Sequence, residues 1–244
     1  MPSSYQELPP DADLAVHLQC TWTSVIERMP GRAYVLPDAC IDIIWLGGRL
    51  VVAGPDTGHR LVPMPPGTSI AAVRFRPGAA PALLGAPAAE IRDQTLRLAV
   101  LWGRPAADEL ADRIAGAPGP AARVAALQHA VRGRLPGAEP VDPMAGGLVA
   151  RLRGAEPAPV SALAAAIGLS ERQLHRRCVA AFGYGPKTLD RVLRLQRFLA
   201  LGRSPRRPPG GLATLAAAAG YADQSHLTHE CRALAGATPA ALLA

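Results

Sequence analysis

No stretch of about 18 consecutive apolar residues occurs in this chain, so no segment has the length and hydropathy of a membrane-crossing helix. The opening MPSSYQELPPDADL has no basic-then-apolar export pattern, and a cytoplasmic protein without a membrane partner is expected. The four cysteines, Cys20, Cys40, Cys178 and Cys231, never fall in C-x-x-C spacing. In a reducing compartment they are expected as free, mostly buried thiols, too inaccessible for redox sensing. Lysine is almost absent: Lys187 is the single one among 26 basic residues. A Gly-rich phosphate loop, a nucleophile beside a placed base and a metal-ligand spacing are all missing. His226 and His229 with Cys231 nearby lack a fourth ligand, and Cys231 belongs to an apolar stripe. The expectation is therefore a protein that is not an enzyme, with no cofactor and no metal.

What is present is unevenly charged. The net charge is +7. Residues 147–244 hold 13 Arg or Lys against 5 Asp or Glu, a balance of +8, whereas residues 1–146 hold 13 against 14. The positive excess sits wholly in the second half, as a polyanion-binding surface needs.

The two halves also differ in pattern. Between residues 21 and 76 short apolar runs (22–26, 34–36, 40–46, 50–53, 61–64 and 70–75) alternate with turn residues. Gly47-Gly48 between two of them is a hairpin signal. This predicts a small antiparallel sheet or open barrel, followed by helices near 79–84, 105–115 and 121–134. LPGAEPVDPMA, residues 135–145, has three Pro and reads as a linker. Beyond it the pattern is helical throughout: a short helix near 145–153, a long one from Pro186 to about residue 201, and a last turn from Thr238-Pro239. GRSPRRPPGG, residues 202–211, interrupts it as a basic loop. The fold class is α+β, with a β-rich sensor-like or dimerisation domain over 1–134, a linker over 135–145 and an all-α domain over 146–244.

Within the last domain one unit occurs twice. LAAAIGLSERQLHRRCVAAFG from Leu163 aligns with LAAAAGYADQSHLTHECRALAG from Leu215. Gly168 meets Gly220, Cys178 meets Cys231, Gly183 meets Gly236 and Pro186 meets Pro239, with one extra residue in the second turn. Such matching in one register predicts two helix-turn-helix units, near 160–183 and 212–236. In the first, Ser170 and Gln173 make a capping box, and Leu174, Cys178 and Ala181 form an apolar stripe. Arg172, His175 and Arg176 fall on another side, at i, i+3 and i+4.

The S-x-R-x-L-x-R spacing, the FGYGP that follows and GYADQSHLTHECRALAGATP resemble the AraC/XylS family of transcription regulators over residues 146–244. The first half, with LPDACIDIIW, GPDT and VRFRPGAAPALLG, is similar to sensor-like domains preceding such regulators. The resemblance implies sequence-specific recognition of double-stranded DNA, the second helix of each unit entering a major groove, with grooves about 10 base pairs apart. By position it implies base contacts from Arg172, His175 and Arg176, and from Gln224, Ser225, Thr228 and His229. Arg suits guanine, Gln adenine, and Thr a thymine methyl. Ser170, Lys187, Thr188 and Arg232 are the implied phosphate contacts. RNA polymerase and a small-molecule effector are the further partners implied, acting on a monomer or homodimer that is nucleoid-associated. The sequence departs from the family pattern at Cys178 and Cys231, where Phe is usual, and at His229, where Arg is common.

For an effector, Asp38, Asp42, Trp45, His59 and Arg74 are the ligand candidates, against the plainer reading of exposed strand faces and a core Trp. The alternative for the whole chain is a helical protein-interaction module without DNA binding.

Overall fold

The computed structural model describes residues 5–26, 32–154 and 159–244. In chain order its strands are β1 (Gln6–Leu8), β2 (Leu18–Val25), β3 (Arg32–Val35), β4 (Asp42–Leu46), β5 (Arg49–Ala53), β6 (Arg60–Pro63), β7 (Ser69–Phe75) and β8 (Thr95–Arg97). Six of them make one antiparallel sheet in the order β1-β2-β7-β4-β5-β8, while β3 and β6 pair with each other as a separate ribbon. Each apolar run read from the sequence corresponds to one of the strands β2 to β7. The order could not be read locally, because β7 enters between β2 and β4 from far along the chain. It is the natural centre: Ala71, Ala72 and Val73 are fully buried, and Ala71 and Val73 enter the main core.

Helices then cover the sheet: α1 (Ala80–Leu84), α2 (Leu98–Trp102), α3 (Arg104–Ala115) and α4 (Pro120–Arg134). Leu110 and Ile114 of α3 and Leu127 and Val131 of α4 enter the same core as Ile43, Val52, Val73 and Phe75. The Trp102 indole N–H, itself buried, donates to the Leu83 carbonyl at 3.1 Å. A fork from Arg132 to Asp11 and Asp13 ties α4 back to the start of the chain, and this holds the Asp13 carboxyl below its ordinary range.

The helical half follows as α5 (Pro143–Leu152), α6 (Val160–Ala166), α7 (Glu171–Phe182), α8 (Pro186–Arg203), α9 (Gly211–Ala219), α10 (Gln224–Ala235) and α11 (Pro239–Leu243). The stretch expected as linker is shorter than expected: a single helical turn occupies Leu135–Gly137, and α5 starts at Pro143 with Asp142 as N-cap. Helix α8 carries two apolar stripes rather than one. Leu189, Val192 and Leu193 join the core of α5, α6 and α7, whereas Leu195, Phe198 and Leu199 join that of α9, α10 and α11. Six residues on an α-helix rotate by roughly 120° in the other sense and advance about 9 Å. One helix thus offers two apolar stripes on different sides, and a helix-turn-helix unit packs on each. Gln196 lies in neither core, and donates to the Pro37 carbonyl at 2.7 Å. Among the described residues no helix is long and apolar enough to cross a membrane.

Candidate nucleic-acid interface

The repeat seen in the sequence is a repeat in space. In the first unit the turn closes with the Leu169 N–H on the Ala164 carbonyl, and in the second with the Tyr221 N–H on the Ala216 carbonyl, at 3.0 and 2.9 Å. The outward helix then starts on a side-chain cap. Ser170 and Gln173 form the full capping box at the head of α7, while Asp223 accepts the His226 N–H at 2.7 Å at the head of α10. Each outward helix ends on a glycine in the left-handed region, Gly183 with φ 84° and Gly236 with φ 63°, a conformation other residues adopt at a cost. Pro186 and Pro239 open the helices that come after.

Cys178 and Cys231 sit fully buried at equivalent points of the two cores. Cys fills less of this space than the Phe usual in the resembled family, and the small Ala164 shares the core of Cys178 as Ala216 and Ala219 share that of Cys231. All four thiols are free. Burial pushes Cys178 up to about 12 and Cys20 and Cys231 up to about 11, and holds Cys40 well above its ordinary range. At neutral pH they are protonated and unreactive.

The arginines of the helical half sort into two groups. The first is committed to the fold. Arg177 forks onto Asp142, fixing α7 against the N-cap of α5. Burial by itself would raise the Asp142 carboxyl, but hydrogen bonds from Arg177 and the Met144 N–H hold it below its ordinary range. Arg191 forks onto the buried Glu230 at 2.7 and 3.2 Å, fixing α10 against α8. Arg197 donates to the carbonyls of Leu152 and Ala219, capping the ends of α5 and α9 from one point on α8. The spacing of these residues gave no sign of such roles, because their partners are far away in sequence.

The second group has no side-chain partner among the described residues; besides the exposed Arg151, Arg153, Arg206 and Arg207, it includes the cations on or beside the outward helices. Arg172 and Arg176 project from α7, Lys187 from the first turn of α8, and Arg232 from α10, all exposed. On α10, Gln224, Ser225, Thr228, His229 and Arg232 line a shallow outward groove. The Thr228 hydroxyl donates back to the Gln224 carbonyl at 2.8 Å, which leaves its methyl and the acceptor side of its oxygen to meet a ligand. Two of the expected residues are engaged differently. The Ser170 hydroxyl is used twice within the capping box, accepting the Gln173 N–H and donating to Gln173 Oε1. His175 is exposed, but its ring leans on the turn into α8: a Cβ at Gly185 would lie 2.9 Å from Nε2. Thr188 is half-buried in the first turn of α8. His226 stays local, its Nδ1 accepting the Ala222 N–H and its ring set edge-on to Tyr221. No cluster of three or more His, Cys, Asp or Glu that could hold a metal occurs among the described residues.

Residues 163–244 match a family model described as a helix-turn-helix domain. This region is an AraC-type helix-turn-helix domain. A helix-turn-helix domain of this type is a DNA-binding unit. Residues 6–97 match a domain of unknown function, DUF6597. No curated relative matches the sequence. The chain is also similar to the structure of ToxT from Vibrio cholerae, over 98% of this chain and 96% of that one, at 8% identity and a TM-score of 0.47.

Ahead of the AraC-type domain, the ligand candidates do not form one site. Arg74 forks onto Asp42 at 3.1 Å through both nitrogens and comes within 3.7 Å of Asp38 and 3.5 Å of Glu7. Asp42 also accepts the Trp22 indole N–H at 3.0 Å. Asp42 and Arg74 are register partners on β4 and β7, a pairing that only sheet order reveals. Burial raises the Asp38 carboxyl, while Arg74 opposes the rise. Trp45, three residues beyond Asp42 on the same strand, points to the opposite face and is buried in the main core. His59 is elsewhere, on the loop that follows β5, with its ring against Tyr34.

Proposed function

We propose that α7 and α10 are recognition helices, each reading one major groove of the same duplex. The single observation that carries the reading is the sorting of charge. Five arginines of the helical half are bound up in ion pairs and helix caps, whereas Arg172, Arg176, Lys187 and Arg232, on or beside the two outward helices, are exposed and unpaired among the described residues, as are Arg151, Arg153, Arg206 and Arg207 elsewhere in that half. Arg172 and Arg176 are assigned to base edges, with Arg able to contact guanine O6 and N7 in one plane. His175 is a base contact whose ring is already oriented by Gly185. Gln224, Ser225, Thr228 and His229 read the second groove, Gln224 suiting adenine and the Thr228 methyl suiting thymine. Lys187, Thr188, Arg232 and Ser170 lie toward phosphates, where they fix register without carrying sequence.

The residues ahead of the helix-turn-helix units, 1–134 with a connector over 135–145, act as a separate module on this reading: they sense an effector, hold a second copy or meet RNA polymerase. The test is recovery of genomic fragments bound by the full chain, followed by gel shifts with Arg172→Ala and Arg176→Ala. Two short motifs about one helical turn apart support the reading. Binding indifferent to both substitutions contradicts it and favours a helical protein-interaction module instead.

A further inference from the structure

The loop joining β5 to β6, residues 54–59, meets both helix-turn-helix units at the same point of the repeat. A Cβ at Gly183, which ends α7, would lie 2.8 Å from Pro55 Cγ and 3.1 Å from the Ala88 carbonyl oxygen. A Cβ at Gly236, which ends α10, would lie 2.7 Å from His59 Nε2. Pro55 and His59 are four residues apart, so one short loop spans the two equivalent helix ends. Each contact is reinforced. Arg92 donates to the Gly183 carbonyl at 3.0 Å. Tyr34 backs the His59 imidazole, with ring centroids 5.3 Å apart.

The loop is itself held in shape. The Gly54 N–H donates to the Gln94 carbonyl at 2.9 Å, and the Asp93 N–H donates to the Pro55 carbonyl at 3.1 Å. The Asp93 carboxylate accepts the Thr57 N–H at 2.6 Å and its hydroxyl at 2.9 Å. Asp93 has a φ of 58°, a left-handed conformation that Asp tolerates better than most residues. Arg60 closes the far side, 2.7 Å from Asp56 and donating to Thr95 Oγ1 at 2.8 Å.

We infer that this loop is a brace that fixes how far apart the two recognition helices stand, and so sets the half-site spacing the protein accepts. Pro55 and His59 are its positioning residues. Besides the brace, the units are joined through α8, whose two stripes act as independent seats, and through the segment after β3, where Ala39 enters the first unit's core and Leu36 packs on the second's. With the brace, α7, the loop, α10 and α8 form a closed ring of contacts, and neither recognition helix swings without breaking one. The link to spacing rests on both helices reading DNA, but the mechanical link does not.

The test therefore has two arms on the full chain. Spin labels are placed through Ala180→Cys and Ala233→Cys, exposed and equivalent positions on α7 and α10, while the four native thiols are buried and escape labelling. The distance distribution without DNA is narrow, and His59→Ala and Arg92→Ala, which release opposite ends of the brace, each broaden it. In the second arm the unlabelled chain prefers its native half-site spacing over one longer by about two base pairs by about tenfold, and His59→Ala lowers that preference to about twofold. A distribution unchanged in both variants overturns the brace. Broadening combined with an unchanged spacing preference overturns its role in specificity. Failure of the unsubstituted chain to bind any duplex defeats the DNA reading and the spacing assignment with it, whatever the distances show.

Discussion

On α7 the outward face carries Arg172, His175 and Arg176, whereas on α10 the equivalent face carries Gln224, Ser225, Thr228 and His229, with Arg232 a turn further on. Behind these faces the units are nearly the same object: buried Leu174 and Leu227, buried Cys178 and Cys231, left-handed glycine caps and a proline at the next helix start. A duplicated scaffold has thus kept its core and diverged where it meets solvent. The first unit offers cationic forks, the second largely neutral donors and acceptors. Their anchoring differs as well. The Arg177–Asp142 pair that orients α7 is partly open to solvent, whereas the Arg191–Glu230 pair that orients α10 has its carboxylate buried.

That difference in anchoring predicts the largest effect. Arg191→Ala leaves the buried Glu230 carboxylate without its partner and costs about 3 kcal/mol of stability, whereas Arg177→Ala costs about 1 kcal/mol or less. Urea denaturation of the two variants side by side measures the contrast, and equal losses would remove it.

Binding comes next. Arg172→Ala and Arg176→Ala each weaken duplex binding by about 1–3 kcal/mol and relax specificity at one base position of the first half-site. Gln224→Ala relaxes specificity in the second half-site and leaves the salt dependence unchanged, while Lys187→Ala weakens every sequence alike and lowers the salt slope by about one. Titrations across a salt series separate these behaviours. Smaller still, His229→Arg makes the second unit resemble the first: affinity rises several-fold and the slope steepens by about one. Affinity unaltered by His229→Arg would mean that this position does not face the duplex.

The smallest effect is one of pH. The Asp142 carboxyl lies below its ordinary value of 3.8 in the folded chain, so its contribution to stability is complete above that value and is lost as pH falls through the depressed one. Asp142→Asn therefore lowers stability at neutral pH, and the gap from the unsubstituted chain narrows on acidification below about 3.8. Thermal unfolding at a series of pH values checks this; a gap that widens in acid would contradict it.

Local chemistry was legible in the sequence, and distant pairing was not. The capping box at Ser170, the glycine caps, the equivalence of the two cysteines and the strands β2 to β7 all follow from spacing within a few residues. Strand order does not, because β7 joins β2 and β4 across long separations. The short β8 is not legible either, because a three-residue strand has no visible period, and α2, packed directly after it, has none. Among the ligand candidates, Asp42 and Arg74 meet only because their strands are neighbours in register, whereas Trp45 is turned to the other face by the period of two. The brace at Pro55 and His59 was invisible for the same reason: its partners, Gly183 and Gly236, lie more than a hundred residues away. Likewise, nothing local separates Arg177 and Arg191, which hold the fold together, from Arg172 and Arg176, which are free to meet a duplex.

Footprinting of the full chain on a recovered binding site tests the central claim most directly. Two outward helices on one scaffold predict two protected major-groove patches about one helical turn apart, one erased by Arg172→Ala and the other by Gln224→Ala. A single patch, or two patches that survive both substitutions, would contradict it.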